Sequence, residues 1–239
     1  MPTSSPDDAV GALSRVVVAV DGPSGSGKSS VSRAVAQQLG LRYLDTGAMY
    51  RALTWWALER GVDVADDATR PEVADLAVRL PLAVSLSPTD ASVTVDGHDV
   101  TEAIREPRIS AAVSAVATNL DVRTELVRRQ REIAASGGIV VEGRDITTVV
   151  APDADVLVLL TADESARLIR RALEVHGAAD DDALAATRDH VVRRDAQDST
   201  VATFTEAADG VTVLDSSALT FDETVEALLG LVTARAGSS

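Results

Sequence analysis

Residues 15–29 read Arg15-Val-Val-Val-Ala-Val-Asp21-Gly22-Pro23-Ser24-Gly25-Ser26-Gly27-Lys28-Ser29. The stretch from Arg15 to Asp21 is apolar and largely β-branched with no polar alternation, which is the pattern of a parallel strand buried on both faces. Lys28 opens a stretch with Val31, Val35 and Leu39 at helical spacing, closed by Gly40, so a helix is predicted over 28–39. Between them lies G-x-x-x-x-G-K-S. Glycines let the backbone curl closely around phosphate oxygens, so that successive N–H groups point inward at the positive end of the helix. Gly22, Pro23, Ser24, Gly25, Ser26, Gly27, Lys28, Ser29 and Ser30 are therefore the candidate cradle for the phosphates of ATP. Lys28 suits the β- and γ-phosphates, and the Ser29 hydroxyl suits Mg²⁺.

Outward from this loop the chain alternates strands and helices. Leu41–Asp45, Ile139–Glu142, Val156–Thr161 and Val211–Asp215 read as further short strands. Helices are predicted over 48–60, from Thr69 to Leu80, over 108–117 and 121–136, from Asp163 through Glu174, from a polar segment around Gly177–Asp182 to about Gln197, and from Thr220 to about Ala234. Thr69 with Glu72, and Thr220 with Glu223, have capping-box spacing. Between residues 82 and 100, three short strands separated by Ser-Pro-Thr-Asp and Asp-Gly turns predict a small antiparallel insert. The fold class is thus α/β: a five-stranded parallel sheet flanked by helices, of the P-loop type, with an antiparallel insert lobe.

A chain of 239 residues with 46% hydrophobic and 25% charged residues has the balance of an ordinary globular protein. Aromatics are scarce, so the core must rest on Val, Leu, Ile and Ala; Trp55 and Trp56 are assigned to it. There is no cysteine, which rules out disulfides and thiolate metal sites. The net charge of −15 argues against nucleic-acid and anionic-membrane partners. Residues 1–14 read as a disordered tail without a secretory signal, and no run is apolar enough to cross a bilayer. The expected location is the cytoplasm, and the expected state a monomer. His98, His176 and His190 fall in polar segments and are expected at the surface.

No Asn-Lys-x-Asp motif is present, which argues against a GTPase. The third core strand ends Glu142-Gly-Arg144-Asp145, an acid followed closely by a cation. Arginines recur after strands: Arg51, Arg144, and then Arg167, Arg170 and Arg171. Carboxyl ends of parallel strands form the ligand crevice, and phosphoryl transfer needs converging positive charge. Two alternatives stay open on these residues alone. A kinase of hydroxylated acceptors would use a base such as Asp45, and a nucleotide-dependent switch would bind ATP without turnover. Asp145 could contact substrate or pair with Arg123 or Arg144. Arg128, Arg129 and Arg131 could equally be solvated helix residues.

Asp45-Thr-Gly-Ala-Met-Tyr-Arg51, Arg105-Glu-Pro-Arg108, Val122-Arg123 with Arg128-Arg-Gln-Arg131, and Glu142-Gly-Arg-Asp-Ile146 through Pro152-Asp153 together resemble the bacterial cytidylate kinases, from about Arg15 to Asp215. The resemblance implies a single nucleoside monophosphate kinase domain over 15–239. Its core would be 15–47, 121–171 and 201–239, its monophosphate-binding lobe about 48–120 and its lid about 172–200. It implies transfer from ATP to CMP or dCMP with Mg²⁺, held by Ser29 and, through water, Glu142. Arg51 and Arg144 would hold the CMP phosphate beside Asp45 and Thr46. Asp145, Arg123 and Thr101 would read the base, and Asp198 the ribose. Lys28, Arg144, Arg171 and Arg194 form the implied catalytic set. Two departures stand out. Val201 occupies a position where the family usually has arginine, which should weaken CMP binding or relax base choice unless Arg193 or Arg194 substitutes. Thr147 stands where glycine is common, which should stiffen the loop after Arg144.

Overall fold

The computed structural model describes residues 13–236, with the side chains of Glu174, His176, Asp189, His190 and Ala236 outside that description. Of the tail expected over 1–14, residues 1–12 lie outside the described residues, as do the surface assignments of His176 and His190; Leu13 instead packs on the core and its carbonyl accepts from the Val16 N–H, so the ordered chain starts earlier than expected. Strand β1 (Val17–Asp21) leads into helix α1 (Lys28–Leu39), then β2 (Arg42–Asp45) and α2 (Thr46–Glu59). Helix α3 (Arg70–Arg79) precedes the short strands β3 (Leu82–Val84), β4 (Val93–Val95) and β5 (His98–Asp99). Helices α4 (Pro107–Ala117) and α5 (Leu120–Ala134) return the chain to the core as β6 (Ile139–Gly143). A π-helical turn (Ile146–Val150), β7 (Val156–Thr161), α6 (Glu164–His176), α7 (Asp181–Asp198), β8 (Thr212–Asp215) and α8 (Phe221–Ala236) complete it.

The five-stranded sheet has the order β2-β6-β1-β7-β8, with every pairing parallel. Its central strands are covered on both faces, and their period of two assigns each residue to a layer. Val18 and Val20 pack with Val31, Val35, Leu228 and Val232 of α1 and α8. Ala19, Leu44 and Val141 face the opposite layer with Leu53, Leu126 and Ile146. Apolar surface buried at roughly 25 cal/mol per Å² stabilises both layers, with aliphatic side chains doing most of it, as the composition requires. Trp56 is buried and Trp55 half-buried; the Trp56 ring also carries the Arg60 guanidinium at 3.9 Å.

The antiparallel sheet β3-β4-β5 is the expected insert. Asp96 and Gly97 both have positive φ (52° and 77°) in its tight turn, the requirement of a two-residue hairpin that matches strand twist. Val93, Val95, Val100 and Ile104 pin the insert to the same layer as α2. His98 is exposed as expected.

Element ends show where local chemistry was misread. Helix α2 starts at Thr46 rather than 48, because the Asp45 carboxylate accepts from the Ala48 N–H at 2.9 Å and so caps it earlier. The Thr69–Glu72 capping box does not form: the Thr69 hydroxyl donates to the carbonyls of Asp63 and Asp66 instead. The Thr220–Glu223 box does form, with Glu223 accepting from the Thr220 N–H at 2.8 Å and Thr220 Oγ1 from the Glu223 N–H at 3.3 Å. Among the described residues no helix is long and apolar enough to cross a membrane.

Candidate active site at the carboxyl ends of the sheet

The loop after β1 is shaped by close backbone approach. A Cβ on Gly22 would lie 2.3 Å from the Leu160 carbonyl oxygen, and one on Gly25, at φ +77°, 2.5 Å from that of Arg167. No larger residue fits either place. Helix α1 begins without a side-chain cap and without an acid in its first turn, so its leading N–H groups stay available to an anion. Lys28 Nζ donates to the Pro23 carbonyl at 3.3 Å. Burial draws the Lys28 ammonium below its ordinary range, with Arg144 and Arg194 adding to the pull and Glu142 opposing it.

Beside this loop stands Glu142 near the end of β6. Its carboxylate accepts from the Ser29 hydroxyl at 2.7 Å and from the Tyr43 hydroxyl at 3.2 Å, while its carbonyl accepts from Thr46 Oγ1 at 2.8 Å. Burial pushes its carboxyl up, and the nearby charge of Asp45 adds to that. Asp45 goes the other way. Burial opposes its charge, but Arg51, bonded at 2.7 Å, and the Ala48 N–H hold it below the usual range. The guanidinium of Arg51 is correspondingly raised by Asp45 and Glu142 against its own burial. A hydroxyl and a carboxylate in contact next to a phosphate loop are hard oxygen donors, and one or two of these with phosphates and water suit Mg²⁺. Ser29 and Glu142 thus fit the metal that the sequence implies.

Opposite lies a cluster of arginines tied to carboxylates of α7. Arg144 donates to Asp195 Oδ1 at 2.8 Å and to Ser24 Oγ at 2.9 Å, with Asp198 Oδ2 at 3.1 Å. Arg167 donates to Asp195 Oδ2 at 2.6 Å and to the Ser24 carbonyl at 3.0 Å. The Ser24 N–H itself donates to Asp195 Oδ1 at 3.2 Å. One carboxylate therefore accepts from two guanidiniums and a loop amide, a donor set suited to a phosphate. Burial would raise Asp195, but these donors hold its carboxyl below the usual range. Arg194 has the opposite balance: burial and the like charge of Arg144 bring it down to about 10.

Deeper still, Arg123 and Asp145 form a buried ion pair, and burial pushes the Asp145 carboxyl up despite Arg123. Ser114 Oγ donates to Asp198 Oδ1 at 3.0 Å. The turn after Asp145 is fixed from beneath by Asp21, which accepts from the N–H groups of Ile146 and Thr147 at 2.7 and 2.9 Å and from Thr147 Oγ1 at 2.6 Å. The hydroxyl at position 147 thus adds a tie that glycine could not, as expected of a stiffer loop.

These groups surround one cavity of about 550 Å³. Ser24, Gly25, Gly27, Lys28, Ser29, Ser30, Asp45, Thr46, Arg51, Arg123, Glu142, Arg144, Asp145, Arg171, Arg194 and Asp198 all line it. Gly22, Pro23 and Ser26 support the loop from behind. Thr101 is not brought there. Its hydroxyl accepts from the Val93 N–H and its own N–H donates to Asp99, both in the insert, so it lines a separate shallow hollow with Asp90 and Glu102.

Arg170 does not line the cavity: it donates to Ser216, to the Leu219 carbonyl and, from behind the phosphate loop, to the Ser26 carbonyl. Arg128 pairs with Glu125 and Glu132 at the surface, Arg129 donates to the last carbonyls of α3, and Arg131 to Val149. All three are scaffold contacts.

Val201 and Ala202 line the cavity, as do Arg33 and Arg105. The motif reading missed Asp195, Ser114 and Arg33. Arg33 lies four residues after Ser29, on the same face of α1, a spacing that could have found it.

Comparison with known proteins gives a consistent result. The family model described as cytidylate kinase matches residues 18–234. A cytidylate kinase of Cutibacterium acnes is 51% identical over 221 residues, covering 92% of this chain and 96% of its own. One of Streptomyces griseus is 48% identical over 225 residues, covering 92% and 94%. One of Rhodococcus opacus is 47% identical over 226 residues, covering 94% and 97%.

Proposed function

The chain belongs to the cytidylate kinase family, and from that premise we propose that it transfers the γ-phosphoryl group of ATP to CMP or dCMP, giving ADP and CDP or dCDP. The observation that carries the reading is the pairing of a phosphate loop with Arg51, Arg144 and Arg194 across a single cavity.

In the proposed reaction the loop amides and Lys28 hold the β- and γ-phosphates. Arg51 and Arg144 grip the acceptor phosphate bidentately. An oxygen of that phosphate attacks the γ-phosphorus, the bond to the β–γ bridging oxygen breaks, and ADP leaves. Arg144, Arg171 and Arg194 offset the charge on the equatorial oxygens. Mg²⁺, held by Ser29 and through water by Glu142, would neutralise phosphate charge. The acceptor arrives ionised, so no general base is needed. That favours a phosphate over a hydroxyl acceptor, because Asp45 is engaged by Arg51 and held below the usual range, which makes it a poor base.

Asp145 would accept from the cytosine 4-amino group, with Arg123 beside it, and Asp198 would meet the ribose. The domain limits and lid over 172–200, action in the cytoplasm and a monomeric state belong to the same proposal. Closure of the lid over both nucleotides excludes water and limits ATP hydrolysis.

ADP formation with ATP and Mg²⁺ should rise on adding CMP or dCMP, and far less with UMP, AMP or GMP. Absence of stimulation by every monophosphate, with ATP still bound, would overturn the assignment in favour of a binding protein.

A further inference from the structure

Arg144 has two kinds of neighbour. Asp195, Asp198 and Ser24 engage its N–H groups. These contacts use the same donors that an acceptor phosphate would use, so they must exchange when substrate enters. A neighbour of another kind is the ring of Phe204, whose centroid lies 4.2 Å from the guanidinium carbon. An aromatic ring offers the N–H donors no oxygen or nitrogen acceptor, and its quadrupole attracts the cation without competing for them.

We propose that Phe204 is the positioning residue for Arg144, holding the guanidinium in place while its N–H groups exchange carboxylates for the acceptor phosphate. The inference rests on the proposed function and deepens its acceptor site. Phe204 is 1% exposed, so the ring is fixed by packing, and a desolvated cation–π contact is worth more than an exposed one. It is tethered to the site by the turn after α7, where the N–H groups of Val201 and Ala202 donate to the Asp198 carbonyl at 3.2 and 3.1 Å. Arg144 leaves β6 on the other side, and the loop that carries it is fixed by Asp21. The clamp is thereby seated on two independently anchored supports. A neutral aromatic support suits a clamp that must release anions, since a carboxylate in its place would compete with every phosphate that entered.

The test compares Phe204→Leu and Phe204→Met, which keep an apolar filling, with Phe204→Tyr, which keeps the ring. Wild-type turnover with CMP is read first; none would overturn the proposed function and this inference together. With wild type active, the expected result is a fall in kcat/KM for CMP of about tenfold to thirtyfold in the Leu and Met variants. The ATP dissociation constant and the thermal midpoint with ATP bound should stay near wild type, and Tyr should restore most of the loss. The Arg144 Nε–H signal in nuclear magnetic resonance, assigned through Arg144→Lys, should be ring-current shifted in wild type and Tyr but not in Leu or Met. Loss of CMP turnover in parallel with loss of ATP binding would make Phe204 a packing residue and overturn the proposal. An unchanged kcat/KM in both aliphatic variants would overturn it equally.

Discussion

The two walls of the cavity are built on different principles. The wall formed by residues 22–30 is main chain: amides and a helix start, held in place where the neighbours of Gly22 and Gly25 leave no room for a Cβ. The wall facing it is side chain: Arg51 from α2, Arg144 after β6, Arg171 from α6 and Arg194 from α7, with Arg167 of α6 behind it. Arg51, Arg144, Arg167 and Arg194 are paired with Asp45, Asp195 and Asp198. A main-chain cradle is fixed by folding and takes any triphosphate. A side-chain wall can exchange partners, and its carboxylates hold arginines together that would otherwise repel each other across low-dielectric space. In the proposed reaction the first wall would supply general phosphate affinity, and the second acceptor capture and choice.

That contrast can be broken by substitution. Lys28→Ala should lower kcat by about 10²- to 10³-fold with every acceptor alike, measured in the ADP-formation assay. A loss confined to one acceptor would merge the two walls. Asp145→Asn should leave ATP binding intact and reduce the preference for CMP over UMP by about 10²-fold, because a buried acceptor for the amino group is replaced. A preserved preference would remove Asp145 from base reading. Val201→Arg would restore a cation to the second wall and should lower the KM for CMP by about threefold to tenfold, a change of roughly 1 kcal/mol. A higher KM would mean that Arg33 or Arg105 already supplies that charge.

The smallest effect lies outside both walls. Glu125 pairs with Arg128 and Arg129, and the hydrogen bond from Arg128 leads in lowering its carboxyl to about 2. A carboxyl depressed on folding stabilises above its unfolded value of about 4.3 and loses that contribution as pH falls toward 2. Glu125→Gln should therefore cost less than about 1 kcal/mol near neutrality. The difference from wild type should shrink with acid, as read from thermal midpoints across pH.

The same contrast explains what the sequence made legible. The phosphate loop is contiguous, so its glycines, lysine and serine could be assigned at once, and hydrophobic runs separated the strands from the helices. The arginine wall is assembled by the strand order, which brings β6 beside β1, and by α7, whose Asp195 meets the loops that follow both strands. Arg51 and Arg144 were readable because they sit in motifs, and Arg194 only through the family resemblance. Asp195 was not: in an acidic chain, one more Asp in a charged helix looks solvated. Its spacing from Asp198, on one helical face toward Arg144, was the available signal. Thr101 was misplaced because a motif position says nothing of a hairpin's own hydrogen bonds, which use both its hydroxyl and its N–H. Phe204 gave no signal at all, since an isolated aromatic reads as core, which by burial it is.

Arg144 joins the two walls through Ser24, so Arg144→Ala tests the account most directly, with CMP-dependent turnover and ATP affinity measured on the same preparation. The account predicts a fall in turnover of about 10³-fold while the ATP dissociation constant stays within about twofold of wild type. Turnover that survives the substitution unchanged would contradict it, and the clamp would have to be sought elsewhere on the side-chain wall.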